Sequence, residues 1–319
     1  MASGPEVVGR PGATSISLVR QRTPRSVGEQ GIKLLLAGAA GLSILITVLI
    51  LAALVRETIS FFGEVPVGDY LFGTDWNPLA GGESQSFGVL PLLWSTLYLT
   101  GIALTVAIPL GLGVAVYLAE YASPRIRKVF KPVIELLAGI PTVVFGFFAL
   151  QYFTKTFLQG WLGLDVNIFN GLSAGIVLGF LVLPTIASVS EDALSAVPAS
   201  LREGAAGLGA SKRQTTMKVV FPAALSGVVA GLVLGASRAI GETVIILLAA
   251  GNAPNLSLDL TISHQNMAAF IANTARSDVA AGSIGYSTLF AVGMTLFVIC
   301  FTLNLLAIRF VRKYRQVYE

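Results

Sequence analysis

Apolar residues gather in six blocks, near residues 34–55, 92–118, 132–152, 168–189, 222–250 and 284–308, separated by polar and turn-forming stretches. A helix of about 20 residues crosses the ~30 Å hydrocarbon layer of a bilayer, and every block reaches that length. The pattern predicts an all-α, polytopic membrane protein with six transmembrane helices. Hydrophobic residues make up 54% of the chain and charged residues 12%, a balance that sets aside the soluble globular classes.

Charge then gives the orientation. Arg10, Arg20, Arg22, Arg25 and Lys33 precede the first block, and Arg125, Arg127, Lys128 and Lys131 lie between the second and third. Arg202, Lys212, Arg213 and Lys218 join the fourth to the fifth, and Arg309, Arg312, Lys313 and Arg315 follow the sixth. Of the 21 basic residues only Arg56, Lys155, Arg238 and Arg276 fall elsewhere. Basic loops stay on the cytoplasmic side, so both termini are expected there. The net charge of +4 is thus a topology signal; no basic and aromatic surface interleaves as a reader of nucleic acid would need.

Residues 1–30, rich in Gly, Pro, Ser and Arg, are expected to form a mobile cytoplasmic tail. Residues 31–62 are expected to be a retained anchor helix and not a cleaved signal, because the apolar run is full length and ends in Val55-Arg56-Glu57. An extracytoplasmic loop is expected to follow over 63–91, then a core of the five remaining apolar blocks over 92–308 and a basic cytoplasmic tail over 309–319. The outer segment carries Glu57, Glu64, Asp69, Asp75 and Glu83 among glycines and the turn-like Asn77-Pro78. It reads either as a solvated connector or as a docking surface for an external protein.

Arg238 and Glu242 are the only charged residues in the fifth block. Each costs on the order of 3 kcal/mol at mid-bilayer depth on insertion scales, so both must face protein or water. At ~100° per residue, Gly227, Gly231, Gly235, Arg238 and Glu242 fall on one stripe, and glycines four apart let a neighbouring backbone come close. Three readings stand. The pair neutralises itself as a buried bridge; or it gates; or the guanidinium, always charged and able to fork two N–H groups onto an oxyanion, meets an anionic substrate while Glu242 holds it in place. In the third block Glu135, Gly139, Thr142 and Gly146 share a stripe beside Pro141, which must bend the helix. That stripe reads as a pathway or as tight packing beside a kink. Pro109 and Pro184 are expected to kink the second and fourth blocks.

The lone Cys300 excludes an intramolecular disulfide and a multi-cysteine metal cluster, and is expected to be a packing residue. His264, the single histidine, lies in an outer loop and is expected to be solvated. No catalytic residue and no metal ligand set is assigned. A membrane enzyme would need a nucleophile or metal ligands converging with titratable groups at one depth, whereas two blocks here offer one carboxylate each.

The segment 190–221 reads as two short amphipathic helices broken near Pro198 and residues 207–209, with small residues Gly204, Ala205 and Ala206 open to another protein and Arg202, Lys212 and Arg213 as rim charges. It resembles the coupling loop of ABC-transporter permeases, whose pattern is Glu-Ala-Ala, three residues, Gly, nine residues, Ile-x-Leu-Pro. Glu203, Gly204, Ala205, Gly209, Val219, Phe221 and Pro222 occupy those positions with the spacing intact. Gly204 stands where Ala is usual, and Val219 and Phe221 replace the aliphatic pair. The resemblance implies the ABC type I importer permease fold and a loop that seats in a groove on a separate ATPase. Gly207-Leu208-Gly209-Ala210-Ser211-Lys212 lacks the G-x-x-x-x-G-K-[ST] spacing of a phosphate-binding loop, so nucleotide binding is not expected in this chain.

Further stretches point to cargo. Phe87-Gly88-Val89-Leu90-Pro91, the run from Glu135 to Gly146, Arg238-Ala239-Ile240-Gly241-Glu242-Thr243, Gly251-Asn252-Ala253-Pro254-Asn255 and the final nine residues are together similar to phosphate-uptake permeases of the PstC type, from about Phe72 onward. That resemblance implies a phosphate importer of the bacterial cytoplasmic membrane, working by alternating access. Its implied partners are a PstA-type permease, two copies of a PstB-type ATPase that use ATP and Mg, and an extracytoplasmic phosphate-binding protein, with surrounding membrane lipid. No cofactor is implied for this chain. Arg238, Glu242, Glu135 and Thr142 are the candidate pathway residues. The sister PstA-type permease is the nearest rival, and arginine chemistry suits sulfate or molybdate equally well.

Overall fold

The computed structural model describes residues 24–314, which fall in two units, Met1–Ala52 and Ala53–Glu319. The first unit contributes the opening turns of α1 (Pro24–Glu64), where every described side chain through Ile50 is exposed. A helix apolar all round its circumference is built for hydrocarbon and not for water. The expected tail gives up residues 24–30 to this helix, and the rest of that tail lies outside the described residues.

Among the described residues four helices are long and apolar enough to cross a membrane, Glu29–Glu64, Leu90–Tyr121, Gly171–Ser195 and Ile284–Lys313, and two bent pairs raise the number to six. In the second unit α3 (Leu90–Val116, continued by a π-helical turn Tyr117–Tyr121) packs along α6 (Gly171–Ser195). Leu99, Ala103, Ala107, Leu178, Leu181 and Ile186 fill that seam. Asn170 caps α6 by accepting from the Ser173 N–H at 2.8 Å. Helix α6 is central: 61% of its apolar stretch is buried, against 11% for α12 (Ile284–Tyr314). Both α3 and α6 run through Pro109 and Pro184 without a break. Residues 315–319 of the expected C-terminal tail lie outside the described residues.

The third and fifth blocks depart from the expected spans. Ser123 caps α4 (Pro124–Ala138), with Pro124 in its first turn. The helix stops at Gly139, and Pro141 sits at ψ 135, outside the helical region. The chain restarts as α5 (Thr142–Phe147) and its π-helical continuation Phe148–Trp161, bent 83° from α4. The block is therefore two helices, 124–138 and 142–161, and not one continuous helix over 132–152, and α4 is amphipathic with no buried residue. On the other side of α6, α7 (Ala199–Gly207) and α8 (Lys212–Thr215) lead through a π turn to α9 (Phe221–Ala223). A 71° bend then opens α10 (Leu225–Ile240), so the straight helix of the fifth block begins after Pro222 and ends ten residues before Ala250.

The outer segment is not a solvated connector. Helix α2 (Val67–Phe72) and the short antiparallel pair β1 (Trp76–Asn77) and β2 (Ser86–Phe87) fold into a cap. Tyr70 is fully buried, its ring edge-on to Phe61 at 5.4 Å and its hydroxyl 2.9 Å from Thr295 Oγ1. Trp76 meets Phe270 of α11 (Met267–Ala275) at 4.9 Å. Five aromatic rings supply the apolar area here, which the acidic residues of the segment conceal when the sequence is read for charge.

Candidate functional site

Helix α10 presents its glycines to α6 of the same chain. A methyl group added at Gly227, Gly231 or Gly235 would lie 2.5 Å from Ala193, 3.2 Å from Val189 or 2.6 Å from Ile186. One turn on, half-buried Arg238 follows the same seam, and its Nη1 donates to Thr185 Oγ1 at 2.9 Å. The Ser237 hydroxyl beside it is buried without a hydrogen-bond partner among the described residues.

Glu242 does not complete the stripe. The helix ends at Ile240, and Glu242 Oε1 accepts from the Val244 and Ile245 N–H groups at 3.0 and 3.2 Å, capping the turn that leads into the π-helical segment Ile246–Ala250. Asn266 fastens this break by donating to the Glu242 carbonyl at 2.9 Å. The expected Arg238–Glu242 pair is therefore absent: the carboxylate serves a helix N-terminus, where the dipole favours it, and Arg238 forms no ion pair among the described residues. A half-buried guanidinium with one neutral partner retains N–H donors for an anion.

Glu135 and Thr142 are separated by the break at residues 139–141. Glu135 is exposed on α4, in a groove of about 500 Å³ that Leu118, Arg127, Lys128 and Lys131 also line. Thr142 opens α5 and is half-buried, while Gly146 lies against Leu248. The shared stripe expected for these four residues does not form, because it presumes one continuous helix.

Residues 251–266 fold back over the starts of α3 and α6. Trp94 Nε1 donates to the Ser257 carbonyl at 3.1 Å, the Tyr98 hydroxyl donates to the Leu258 carbonyl at 2.6 Å, and the Leu172 N–H donates to the Leu260 carbonyl at 2.9 Å. Within this flap His264 is fully buried, with Nε2 2.9 Å from the Asp259 carbonyl and Nδ1 3.5 Å from Ser95 Oγ. It is a packed residue and not the solvated one expected. The Thr261 hydroxyl and N–H hold the Asp259 carboxyl below its ordinary range.

The residues expected to form the coupling loop are accessible. Glu203, Gly204, Gly209 and Pro222 are exposed and Ala205 is half-buried; a methyl at Gly204 or Gly207 would meet nothing within 4 Å. Leu208 is 91% exposed at the tip, and Gly209 takes φ +80, the left-handed region that glycine enters without penalty. Arg202 is not a rim charge. It turns inward and donates to Glu120 Oε1 at 2.8 Å and to the Leu194 carbonyl at 2.8 Å, tying α7 to the ends of α3 and α6.

One cluster escaped the reading of the sequence. Glu191, 1% exposed on α6, pairs with Arg127 and with Lys131 at 2.6 Å, and accepts from the Ser195 hydroxyl at 2.9 Å. Arg127 Nη2 also donates to Ser195 Oγ at 2.8 Å. The signal was present as two i, i+4 pairs, Arg127 with Lys131 and Glu191 with Ser195, each on one helical face. Among the described residues no group of three or more His, Cys, Asp or Glu could hold a metal ion.

The chain is 34% identical to the "Probable ABC transporter permease protein YqgH" of Bacillus subtilis (strain 168), over 96% of this chain and 97% of that protein. It is 32% identical to the "Phosphate transport system permease protein PstC" of Mesorhizobium japonicum, over 79% of each. Among solved structures, a chain of the bacterial alginate ABC transporter in complex with alginate pentasaccharide-bound periplasmic protein superposes with a TM-score of 0.61 at 17% identity, covering 91% of this chain and 98% of that one. Residues 107–316, from the middle of α3 to beyond α12, match the family described as "Binding-protein-dependent transport system inner membrane component". With that match and a permease aligned along almost its whole length, this multi-pass membrane protein belongs to the binding-protein-dependent family of ABC transporter permeases.

Proposed function

We propose that the chain is the membrane-spanning subunit of an ATP-driven phosphate importer in the bacterial cytoplasmic membrane, with both termini cytoplasmic. Arg238 carries the reading: it is a half-buried guanidinium with a threonine partner and no carboxylate, in a chain whose PstC-named relative aligns over 79% of its length. A PstA-type permease would supply the opposite wall of the path, and an extracytoplasmic binding protein would deliver phosphate to the outer face. Two PstB-type ATPase subunits, using ATP and Mg, would seat the open surface around Gly204 and Leu208. Because Glu242 is engaged as a cap, Arg238 attracts an anion with its charge uncompensated, and its single hydrogen bond to Thr185 orients the fork. One arginine and not a cluster keeps the hold brief enough for release.

The test is reconstitution of the four components in liposomes with radiolabelled phosphate and sulfate as competitor. Arg238→Gln should lower phosphate uptake by more than about tenfold, the loss of one charged hydrogen bond, while the complex still assembles. Normal uptake by that variant refutes the role of Arg238, and uptake of sulfate in place of phosphate refutes the cargo.

A further inference from the structure

A slot of about 420 Å³ runs between α10 and α12, with Val189 of α6 at its floor. Val233, Leu234 and Ile308 make its walls apolar, and Arg312 stands at one end. The amide of Asn304 in the wall donates to the Cys300 carbonyl of its own helix at 2.8 Å. Leu234 and Ile308 are about half exposed, 52% and 49%, so the slot opens sideways from the bundle. No acidic residue lines it, and Arg312 forms no hydrogen bond or ion pair among the described residues.

Dimensions and charge together select an occupant. Asn304 and Arg312 are eight residues apart on one helix, ~12 Å along its axis, close to the ~15 Å depth of a single leaflet. An apolar slot open to hydrocarbon holds an acyl chain in preference to water, and a basic group at the mouth of a pocket between membrane helices favours an anionic headgroup. We infer that this slot is a binding site for an anionic phospholipid, with one acyl chain between α10 and α12 and the headgroup phosphate on Arg312. The inference is independent of the transported cargo.

The full chain in nanodiscs of mixed phosphatidylglycerol and phosphatidylcholine, released into native mass spectrometry, reads the retained lipid directly. Wild type should keep phosphatidylglycerol selectively, and Arg312→Gln should lower that retention about fivefold, the value of one basic residue at a membrane surface. Ala230→Phe fills the slot with Arg312 intact and should lower it likewise. Equal retention of the two lipids by wild type, or wild-type retention in both variants, overturns the site. Displacement of the lipid by inorganic phosphate reassigns Arg312 to free oxyanion, and displacement by a co-expressed sister permease reassigns the slot to a subunit interface; either result also overturns the lipid assignment.

Discussion

Glu191→Gln should release α4 from α6. The substitution keeps the size of the side chain and one acceptor oxygen but removes the charge that Arg127, Lys131 and Ser195 converge on. Breaking a buried ion pair costs ~3–5 kcal/mol where the surviving charge stays buried. Here the side chains of Arg127 and Lys131 keep 39% and 28% of their exposure, and Lys131 retains Asp192. Water and Asp192 therefore recover part of the loss, and the cost falls to about 2 kcal/mol, the range of a hydrogen bond to a charged group. No residue of α4 is buried, so this polar set is its main hold on α6, and 2 kcal/mol corresponds to roughly a 30-fold shift toward the detached state. Amide hydrogen exchange over residues 124–138, in nanodiscs, measures that shift directly. Asp192→Asn is the control, because Asp192 is 63% exposed and a surface pair contributes ~1 kcal/mol or less. Wild-type exchange of α4 in Glu191→Gln, or equal effects of the two substitutions, would refute the assignment of the latch to Glu191.

Other consequences can be checked in the same preparations. Gly227→Ala places a methyl 2.5 Å from the Ala193 Cβ and should lower the thermal unfolding midpoint through ~1–3 kcal/mol of overpacking. Gly204→Ala meets open space and should leave the midpoint unchanged or raise it, since alanine is the better helix former by ~0.5–1 kcal/mol. His264→Ala should loosen the flap 251–266, seen as proteolysis confined to that segment. Asp259, whose carboxyl is held below its ordinary 3.8 by Thr261, supports the flap at every pH above that value and loses its contribution as pH falls through the lower folded-state value. Flap exchange, corrected for intrinsic rate, should therefore show a rise below about 3.8 that Asp259→Asn abolishes.

The six-span plan was legible because lipid-facing helices must be apolar over a fixed length, a constraint that local sequence states fully. The α7 turn was legible for a similar reason: Pro198 and Gly209 act on their own backbones. Breaks inside apolar runs were not, because hydropathy is blind to them. Pro141 was noticed as a bend, yet an 83° turn also moves Glu135 off the stripe of Thr142, and periodicity cannot count across it. Glu242 was misplaced for the same reason, since Gly241 ends a helix within a stretch whose hydropathy continues to Ala250. His264 and Arg202 were misread through their classes. Each belongs to a residue type that is usually wet, and each is held in by a partner distant in sequence, Ser95 169 residues from His264 and Glu120 82 residues from Arg202.

One helix connects the two regions that the proposed importer must couple. Arg202 grips the Leu194 carbonyl at the end of α6, so a displacement of α7 is delivered to α6 through a charge-assisted contact and not through a free loop. About ten residues earlier, ~15 Å along the axis, α6 carries Thr185, the hydrogen-bond partner of Arg238. Between them Ile186, Val189 and Ala193 fit against Gly235, Gly231 and Gly227, with no slack for the helices to slide without repacking, and close-packed interiors transmit displacement instead of absorbing it. Helix α6 thus moves α10 with it, and Arg238 with α10. On the opposite face Glu191 couples the same helix to α4. A push on the surface around Leu208 therefore reaches the guanidinium and α4 together, and the energy it delivers can change anion affinity only so far as Arg238 makes different contacts in the two states. The Thr185 hydrogen bond joins two helices that move together and so persists through the push, which leaves the contacts Arg238 makes outside this pair as the ones placed to differ.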